Sequence, residues 1–433
     1  MASVLPDEAA RKAAYVDIPN GVATEVCYVG PNAAGELSGY AKRRCGSSGL
    51  VIADENTLEC AGAPLISVLR DAGLRVEERL FAAEPLDATN VLGDEVARAA
   101  DAVDFIVAAG SGSLSDLAKY AGGKLGKPVL LFPSAASMNG YTSAIVALKV
   151  NGLKRTQPSV PAAGVFADPE VCASAPPRMT AAGMGDFLSK ASSSTDWRVA
   201  HALRGGYFSE EPRKLLESVQ DDVARVAEAT AHGDVGAYAT VLRALMVSGF
   251  SMAVAGSSAP ASGGEHLISH YIDMKSALYG TAHDLHGAQV GVATLYCLGL
   301  WEKILGLDPV DIDIDALLVA QPDEAEIDAW IDEDWGTIAS EVRAQWREKR
   351  LPEYELRMEL EKFRGVLPRL RDACARDLLP PRVVEEAIRA AGGPTAPEEL
   401  ASPIEVYSDG QRRASYIRNR FTVLDLACEL CIE

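Results

Sequence analysis

The feature that most constrains this chain is a change of rhythm partway along it. Up to about residue 170, short apolar runs alternate with helical stretches. GLVIADE (49–55), LRVEERLF (74–81), DFIVAAG (104–110) and PVLLFPS (128–134) read as strands, and segments 63–73, 91–102 and 113–126 read as helices. Such alternation predicts a parallel sheet covered on both faces. Beyond Pro176–Pro177 the strand signals stop, and helical patterns follow over 179–205, 213–231, 236–256 and 286–306. At 433 residues the chain exceeds what one core usually organises. The expectation is an α/β domain with a Rossmann-like parallel sheet over 1–172 and an all-α domain over 173–433. The cleft between the two is where a site is sought, because open α/β sheets bind ligands beyond their strand C-termini.

Composition narrows the function classes. Hydrophobic residues make up 48% and charged residues 24%, which suits a globular chain with a substantial core and argues against disorder. A net charge of −20 repels phosphate backbones and argues against nucleic-acid binding. The N-terminal MASVLPDEAARKAAYVD lacks the apolar run of a secretory signal, and no membrane span is expected. Eight scattered cysteines suit reduced thiols, and with them a cytoplasmic setting. Cys428 and Cys431 form a lone CxxC, better read as helix cysteines than as a metal site.

The clearest local signal is FIVAAGSGSLSDLAKY (105–120). A strand runs into Gly110, Ser111, Gly112 and Ser113, and a helix opens at once with Asp116 in its first turn. Glycines let backbone approach a pyrophosphate, whose charge a helix N-terminus stabilises. The spacing is not GxGxxG, and a ligand-free strand-to-helix turn satisfies the same residues. Asp54, at the end of the first strand read here, could meet ribose hydroxyls or simply serve a turn.

Four of the six histidines lie between 266 and 286. His266 and His270 are spaced i,i+4, and His283 and His286 i,i+3, so each pair shares a helix face as metal binding needs. Hydrogen-bonded packing roles remain open for each. Asp186, in AAGMGDFLSK, could add an oxygen donor or serve as a plain helix-cap aspartate, and Gly183 and Gly185 beside it allow close packing.

The chain resembles the sn-glycerol-1-phosphate dehydrogenases, particularly their bacterial arabinose-operon-associated branch, within the dehydroquinate synthase and iron-containing alcohol dehydrogenase superfamily. The resemblance runs through VIADENT (51–57), GSGSLSDLAKY (110–120), PSAASMNGYTS (133–143), AAGMGDFLSK (181–190), AGSSAPASGGEHLISH (255–270), DLHGAQVGVAT (284–294) and YIRNRFTVLDLACEL (416–430). It implies a dehydroquinate synthase-like fold, NAD(H) or NADP(H), and one divalent metal, Zn²⁺ or else Ni²⁺ or Fe²⁺. The metal ligands it implies fall on Asp186, His266 and His286. The dinucleotide loop falls on Gly110 to Ser113 with Asp116, the ribose acid on Asp54, and residues of the nicotinamide side on Ser134 and Ser143. His270 is then placed to orient substrate or carry a proton. The activity implied is reversible reduction of dihydroxyacetone phosphate, or a related small ketone or aldehyde, by a homo-oligomer.

Two departures from that pattern bear on substrate. Asn139 stands where relatives usually carry Asp, and Ala259 where they carry Arg, the usual fork for phosphate. Lys149, Lys154 and Arg155 remain as anion contacts or as solvated charges. The competing readings are a specialised dehydrogenase with another substrate, a dehydroquinate synthase-like lyase or cyclase that recycles NAD, and a binding protein that has lost catalysis.

Overall fold

The structure, a computed structural model, describes residues 13–82, 86–150 and 153–433, the side chains of 153–155 excepted. Among the described residues, eight strands run in chain order: β1 (Val26–Val29), β2 (Ser48–Asp54), β3 (Arg75–Phe81), β4 (Phe105–Ala109), β5 (Val129–Phe132), β6 (Ile145–Val150), β7 (Leu153–Pro158) and β8 (Gly164–Ala167). Six form one sheet in the order β1-β8-β5-β4-β2-β3, with every pairing parallel. The four expected strands are β2 to β5. Sequence reading missed β1 and β8, each only four residues long. It also missed β6 and β7, an antiparallel hairpin registered Ile145 to Pro158 and Val150 to Leu153. Lys149, Lys154 and Arg155 within it read as loop charges, although five of the six residues of β6 are apolar.

Side chains alternate across the sheet. Val51, Phe105, Val107, Leu130 and Phe132 pack on one face with Leu37 and Tyr40 of helix α1 (Ala33–Arg44) and Leu65 and Leu69 of α2 (Ala63–Asp71). Leu50, Ile52, Ile106, Ala108 and Leu131 pack on the other, with Val96 of α3 (Asn90–Ala99) and Leu114, Leu117 and Ala118 of α4 (Gly112–Leu125). Full burial of each large apolar side chain stabilises the fold by about 1.5–3 kcal/mol. This two-faced burial makes the strands read as continuous apolar runs.

Among the described residues, everything after β8 is helix or connection. The helices that matter here are α5 (Pro177–Leu188), α6 (Lys190–Arg204), α7 (Glu210–Arg225), α8 (Val235–Ala255), α9 (Gly264–Tyr279) and α10 (His286–Gly306). Helix α8 is as long and apolar as a membrane span, but 67% of that stretch is buried inside the protein, where Val241, Leu245 and Phe250 join the core beneath the sheet. A second core of Ile268, Trp301, Trp335, Phe363 and Leu424 lies wholly within the helical part. All eight cysteines are free thiols.

Helices α5 and α10 meet through glycine. A Cβ on Gly185 would lie 2.4 Å from Gly287 O, and one on Gly287 would lie 2.0 Å from Ala182 O. Gly183 presses on the sheet-side loop in the same way, 2.0 Å from Ala136 O. No side chain fits at these contacts, so backbone meets backbone. This crossing brings Asp186 and His286 to one place.

Candidate active site

One cavity of about 260 Å³ lies between the sheet and the helices. Its sheet-side wall includes Gly112, Ser113, Asp116, Asn139, Ser143 and Lys149, and its helical wall includes Asp186, His266, His270, Asp273, His283 and His286. Ten of the expected site residues therefore share one space. Asp54, Gly110, Ser111 and Ser134 do not line it. The side chains of Lys154 and Arg155 lie outside the described residues.

The sheet wall is built mainly from backbone. The chain reverses its strand order between β2 and β4, and the loop after β4 opens α4 at that edge. Ser111 stands at the N-cap with no side-chain cap, so no hydroxyl competes for the first-turn amides of α4. A Cβ on Gly110 would lie 2.2 Å from Leu114, which keeps that turn tight. Asp54 ends β2 on the same edge, where its carboxylate accepts from Thr57 N at 2.8 Å as a helix cap. Ser134 N donates to Gly110 O at 3.3 Å and ties the two strand ends together.

Asp116 accepts from Ala147 N at 3.0 Å, pinning the hairpin to α4. Lys119, fully buried, donates to Gly140 O at 2.8 Å and Ile145 O at 2.6 Å, and also to Ser143 O. Burial pushes its ammonium below the ordinary lysine value, with Asp116 opposing. Ser143 donates to Gly140 O at 3.0 Å. Lys119 thus holds the 140–145 loop in shape, a role that its helical surroundings in the sequence did not signal. Lys149 is paired with Asp87 at 2.5 Å, so its charge is already matched.

The helical wall is built from side chains, and each is held by a partner behind it. Helices α5 and α6 abut at Ser189, leaving Asp186 and Lys190 one turn apart and ion-paired at 2.9 Å. Lys190 also donates to Ala261 O at 3.0 Å. Burial alone would raise the Asp186 carboxyl, but Lys190 first, then His266 and His286, hold it well below the carboxylate range. Asn139 donates to Asp186 twice at 3.1 Å, through its backbone N–H to Oδ2 and its amide to Oδ1. The Asn139 amide therefore braces Asp186, which a carboxylate at that position would repel.

His266 Nδ1 meets Glu265 Oε1 at 2.9 Å, and His286 Nδ1 meets Ser269 Oγ at 3.0 Å. Both contacts put Nε2 on the far side of each ring, and His266 Nε2 lies 3.6 Å from Asp186 Oδ1. Glu265 is fully buried, yet its imidazole and backbone partners keep it ionised, while burial and Glu265 itself push the neighbouring Asp196 carboxyl well up.

The donor chemistry fits a divalent cation. The ring centroids of His266 and His286 are 5.3 Å apart, those of His270 and His286 5.5 Å. The ligand atoms of His270, Asp273 and His286 lie within 4.8 Å of one another. Among the described residues this is the set that gathers so closely; the expected Asp186, His266 and His286 share the cavity and meet it at His286, without all three converging to that degree. Gln289 steadies Asp273 with a 3.1 Å hydrogen bond. A pattern search for histidines passes over Asp273, although it sits three residues after His270 on the same helix. Lys190, Glu265 and Ser269 were passed over too, because each acts on an expected donor instead of being one. Carboxylate or hydroxyl support behind a ligating imidazole fixes its tautomer and orientation.

Comparison with known proteins agrees with this arrangement. Residues 28–176 match the family model for iron-containing alcohol dehydrogenases. The glycerol-1-phosphate dehydrogenase of Bacillus velezensis is 34% identical over 314 residues, covering 70% of this chain and 80% of its own. That of Pyrococcus horikoshii is 34% identical over 67% of this chain and 88% of its own. The NAD⁺ complex of sulfoacetaldehyde reductase from Bifidobacterium kashiwanohense shares the fold, with a TM-score of 0.58 over 96% of this chain and 97% of that one at 15% identity. With a third of the aligned residues identical across four fifths or more of these relatives, the chain belongs to the glycerol-1-phosphate dehydrogenase family.

Proposed function

We propose that this protein is a metal-dependent NAD(P)(H) alcohol dehydrogenase that reversibly reduces a small phosphorylated ketone of the dihydroxyacetone phosphate kind. One observation carries the reading: Asp186, His266 and His286 face the start of α4 at Gly112 and Ser113 across a single cavity. The chain divides in this reading into a nucleotide-binding unit, 1–172, and a metal-holding unit, 173–433. Both relatives named above are glycerol-1-phosphate dehydrogenases. The sulfoacetaldehyde reductase that shares the fold binds NAD⁺. The cation is Zn²⁺, with Ni²⁺ or Fe²⁺ as the other candidates of matching donor chemistry. The family likeness adds a cytoplasmic setting and a homo-oligomer.

Each residue's part follows from its place. The first-turn amides of α4 receive the dinucleotide phosphates, with Gly110 and Ser111 shaping the approach. Asp54 and Ser134, on the same sheet edge, and Asp116 and Ser143, on the wall, orient the nucleoside and nicotinamide. Asp186, His266 and His286 hold the cation, and Asn139 and Lys190 keep Asp186 ionised and aimed. His270, stacked beside His286, holds or passes the proton that the alcohol oxygen gains or loses. When bound, the cation supplies Lewis acidity at the carbonyl oxygen and NADH or NADPH the hydride.

The test is absorbance at 340 nm with metal-loaded protein, either coenzyme, and a panel of small ketones, aldehydes and their phosphates. Wild type is expected to consume NAD(P)H in proportion to dihydroxyacetone phosphate, and Asp186→Ala not to. Turnover of a substrate with no net change at 340 nm would move the protein to the NAD-recycling class and end this reading.

A further inference from the structure

Ala259 gives the wall no charge, yet two guanidinium groups from the far end of the chain stand behind residues that line it. Arg418 and Arg420 lie between the turn at Ala414–Ile417 and the helix Val423–Glu429. Arg418 Nη2 donates to Thr156 Oγ1 at 3.1 Å, on β7. Arg420 Nη2 donates to Ser258 Oγ at 2.9 Å, and its Nη1 donates to Ser262 O. Thr156, Ser258 and Ser262 all line the cavity that holds Asp186 and the histidines. Ala259 falls between the two serines that Arg420 grips.

What sets these arginines apart is their lack of counter-charge. The chain carries 61 acidic residues against 41 Lys and Arg, so carboxylates are abundant. Arg204, Arg213 and Arg343 each hold two or more of them. Among the described residues, no carboxylate oxygen comes within the 4.0 Å of an ion pair with Arg418 or Arg420. Burial pushes both guanidinium groups below their ordinary value, and Arg418 adds to the effect on Arg420, which Glu265 and Asp196 oppose from farther away. Both side chains are only partly exposed, and a cation drawn partly out of water favours an anion beside it. Of the five N–H donors on each guanidinium, Arg418 spends one and Arg420 two on described partners. A planar fork with donors to spare matches the oxygens of a phosphate monoester.

We propose that Arg418 and Arg420 form the subsite that receives the phosphate of the substrate, with the Thr156 and Ser258 hydroxyls beside it. The proposal rests on the phosphorylated-ketone reading above and names the residues that select for it. Lys149, already matched by Asp87, is not the anchor. The Arg418–Arg420 pair substitutes for a side chain at 259 by delivering charge from the C-terminal segment.

The experiment uses the full chain loaded with metal and coenzyme. Inorganic phosphate is titrated by calorimetry into wild type, Arg418→Gln, Arg420→Gln and Arg420→Lys. Wild type is expected to bind it, and each Gln variant to lose about 10-fold or more, as for removal of a hydrogen bond to a charged group. Arg420→Lys, which keeps the charge and loses the fork, should fall between. Arg418→Gln carries the test should Arg420→Gln not fold, because Arg418 makes a single described hydrogen bond.

In parallel, the ratio of kcat/KM for dihydroxyacetone phosphate to that for dihydroxyacetone should drop about 10- to 100-fold in each Gln variant. No phosphate binding to wild type, or a ratio within twofold of wild type in both Gln variants, overturns the subsite. A loss confined to NADPH affinity, with NADH affinity unchanged, also overturns it by giving the arginines to the coenzyme. If wild type reduces neither ketone while still binding phosphate through these arginines, the substrate reading fails and the anion subsite stands.

Discussion

The two walls of the cavity are made by different means. On the sheet side, shape comes from main chain: an uncapped helix start, a glycine turn, and a loop whose carbonyls are gathered by one buried lysine, Lys119. On the helical side, the working groups are side chains, and each leans on another: Asp186 on Lys190 and Asn139, His266 on Glu265, His286 on Ser269. A wall of amides suits a ligand recognised by its phosphates and outline. A wall of braced, charged side chains suits chemistry at a cation. Substitutions on the first should therefore act through coenzyme affinity, and those on the second through metal affinity and rate.

The sharpest break in this contrast is Asp186→Ala. With Asp186 as the proposed ligand, its loss removes several kcal/mol of charge stabilisation, so kcat/KM should fall by roughly 10³-fold or more. It also strands Lys190, which is 1% exposed, at a cost of about 3–5 kcal/mol visible in thermal unfolding. Gly183→Val comes next, because its Cβ would sit 2.0 Å from Ala136 O. Overpacking of this kind costs about 1–3 kcal/mol or more, and an unchanged Tm would show that the two walls are not locked there.

Ser269→Ala releases His286 Nδ1 and should weaken metal binding about 10- to 100-fold by chelator competition, with the Kd for NADH unmoved. Lys119→Met tests the opposite wall. The Kd for NADH should rise about 10-fold, near 1.4 kcal/mol, while metal content matches wild type. A loss of metal from Lys119→Met, or of NADH affinity from Ser269→Ala, would dissolve the contrast.

The smallest effect belongs behind the helical wall. Glu210 is held down to about 2, chiefly by its hydrogen bond from Arg198, with Arg213 assisting against burial. A depressed carboxyl stabilises the fold above its unfolded value near 4.5 and loses that contribution as pH falls towards 2. The group is 47% exposed, so solvent screening keeps the contribution under about 1 kcal/mol. Glu210→Gln should lower Tm by about 1–2 °C at pH 7, and the gap from wild type should close as the solution is taken towards pH 2.

Much of this was legible before the fold was known, for physical reasons that differ by element. Strands β2, β4 and β5 are buried on both faces and write that burial as unbroken apolar runs, whereas the edge strand β3 buries only Val76 and Phe81. The histidine spacing declares a shared helix face, because 3.6 residues per turn admits few alternatives. Strands β1 and β8 escaped because they lie at the two ends of the α/β segment, outside the strand–helix alternation that marks β2 to β5, and the hairpin because its lysines and arginine read as loop charges although β6 is largely apolar. Lys119 and Lys190 escaped because a lysine among helix formers reads as solvent-exposed. Only the fold shows that both are buried and fully occupied. Arg418 and Arg420 were seen only as part of a matching motif, since nothing near them in the chain points to a cavity some 150 residues upstream.

The glycine contacts have a mechanical side. Gly183 abuts Ala136, and a Cβ on Gly249 of α8 would meet Thr142 Oγ1 at 2.0 Å and Asn139 O at 2.6 Å. The stretch from 136 to 142 is thus clamped between α5 and α8, although the chain hands it out from the sheet. If the crevice breathes to admit coenzyme, this stretch has to ride with the helices, and the bending has to be taken up in the few peptide units that flank it. Chain order and moving parts would then be divided along different lines.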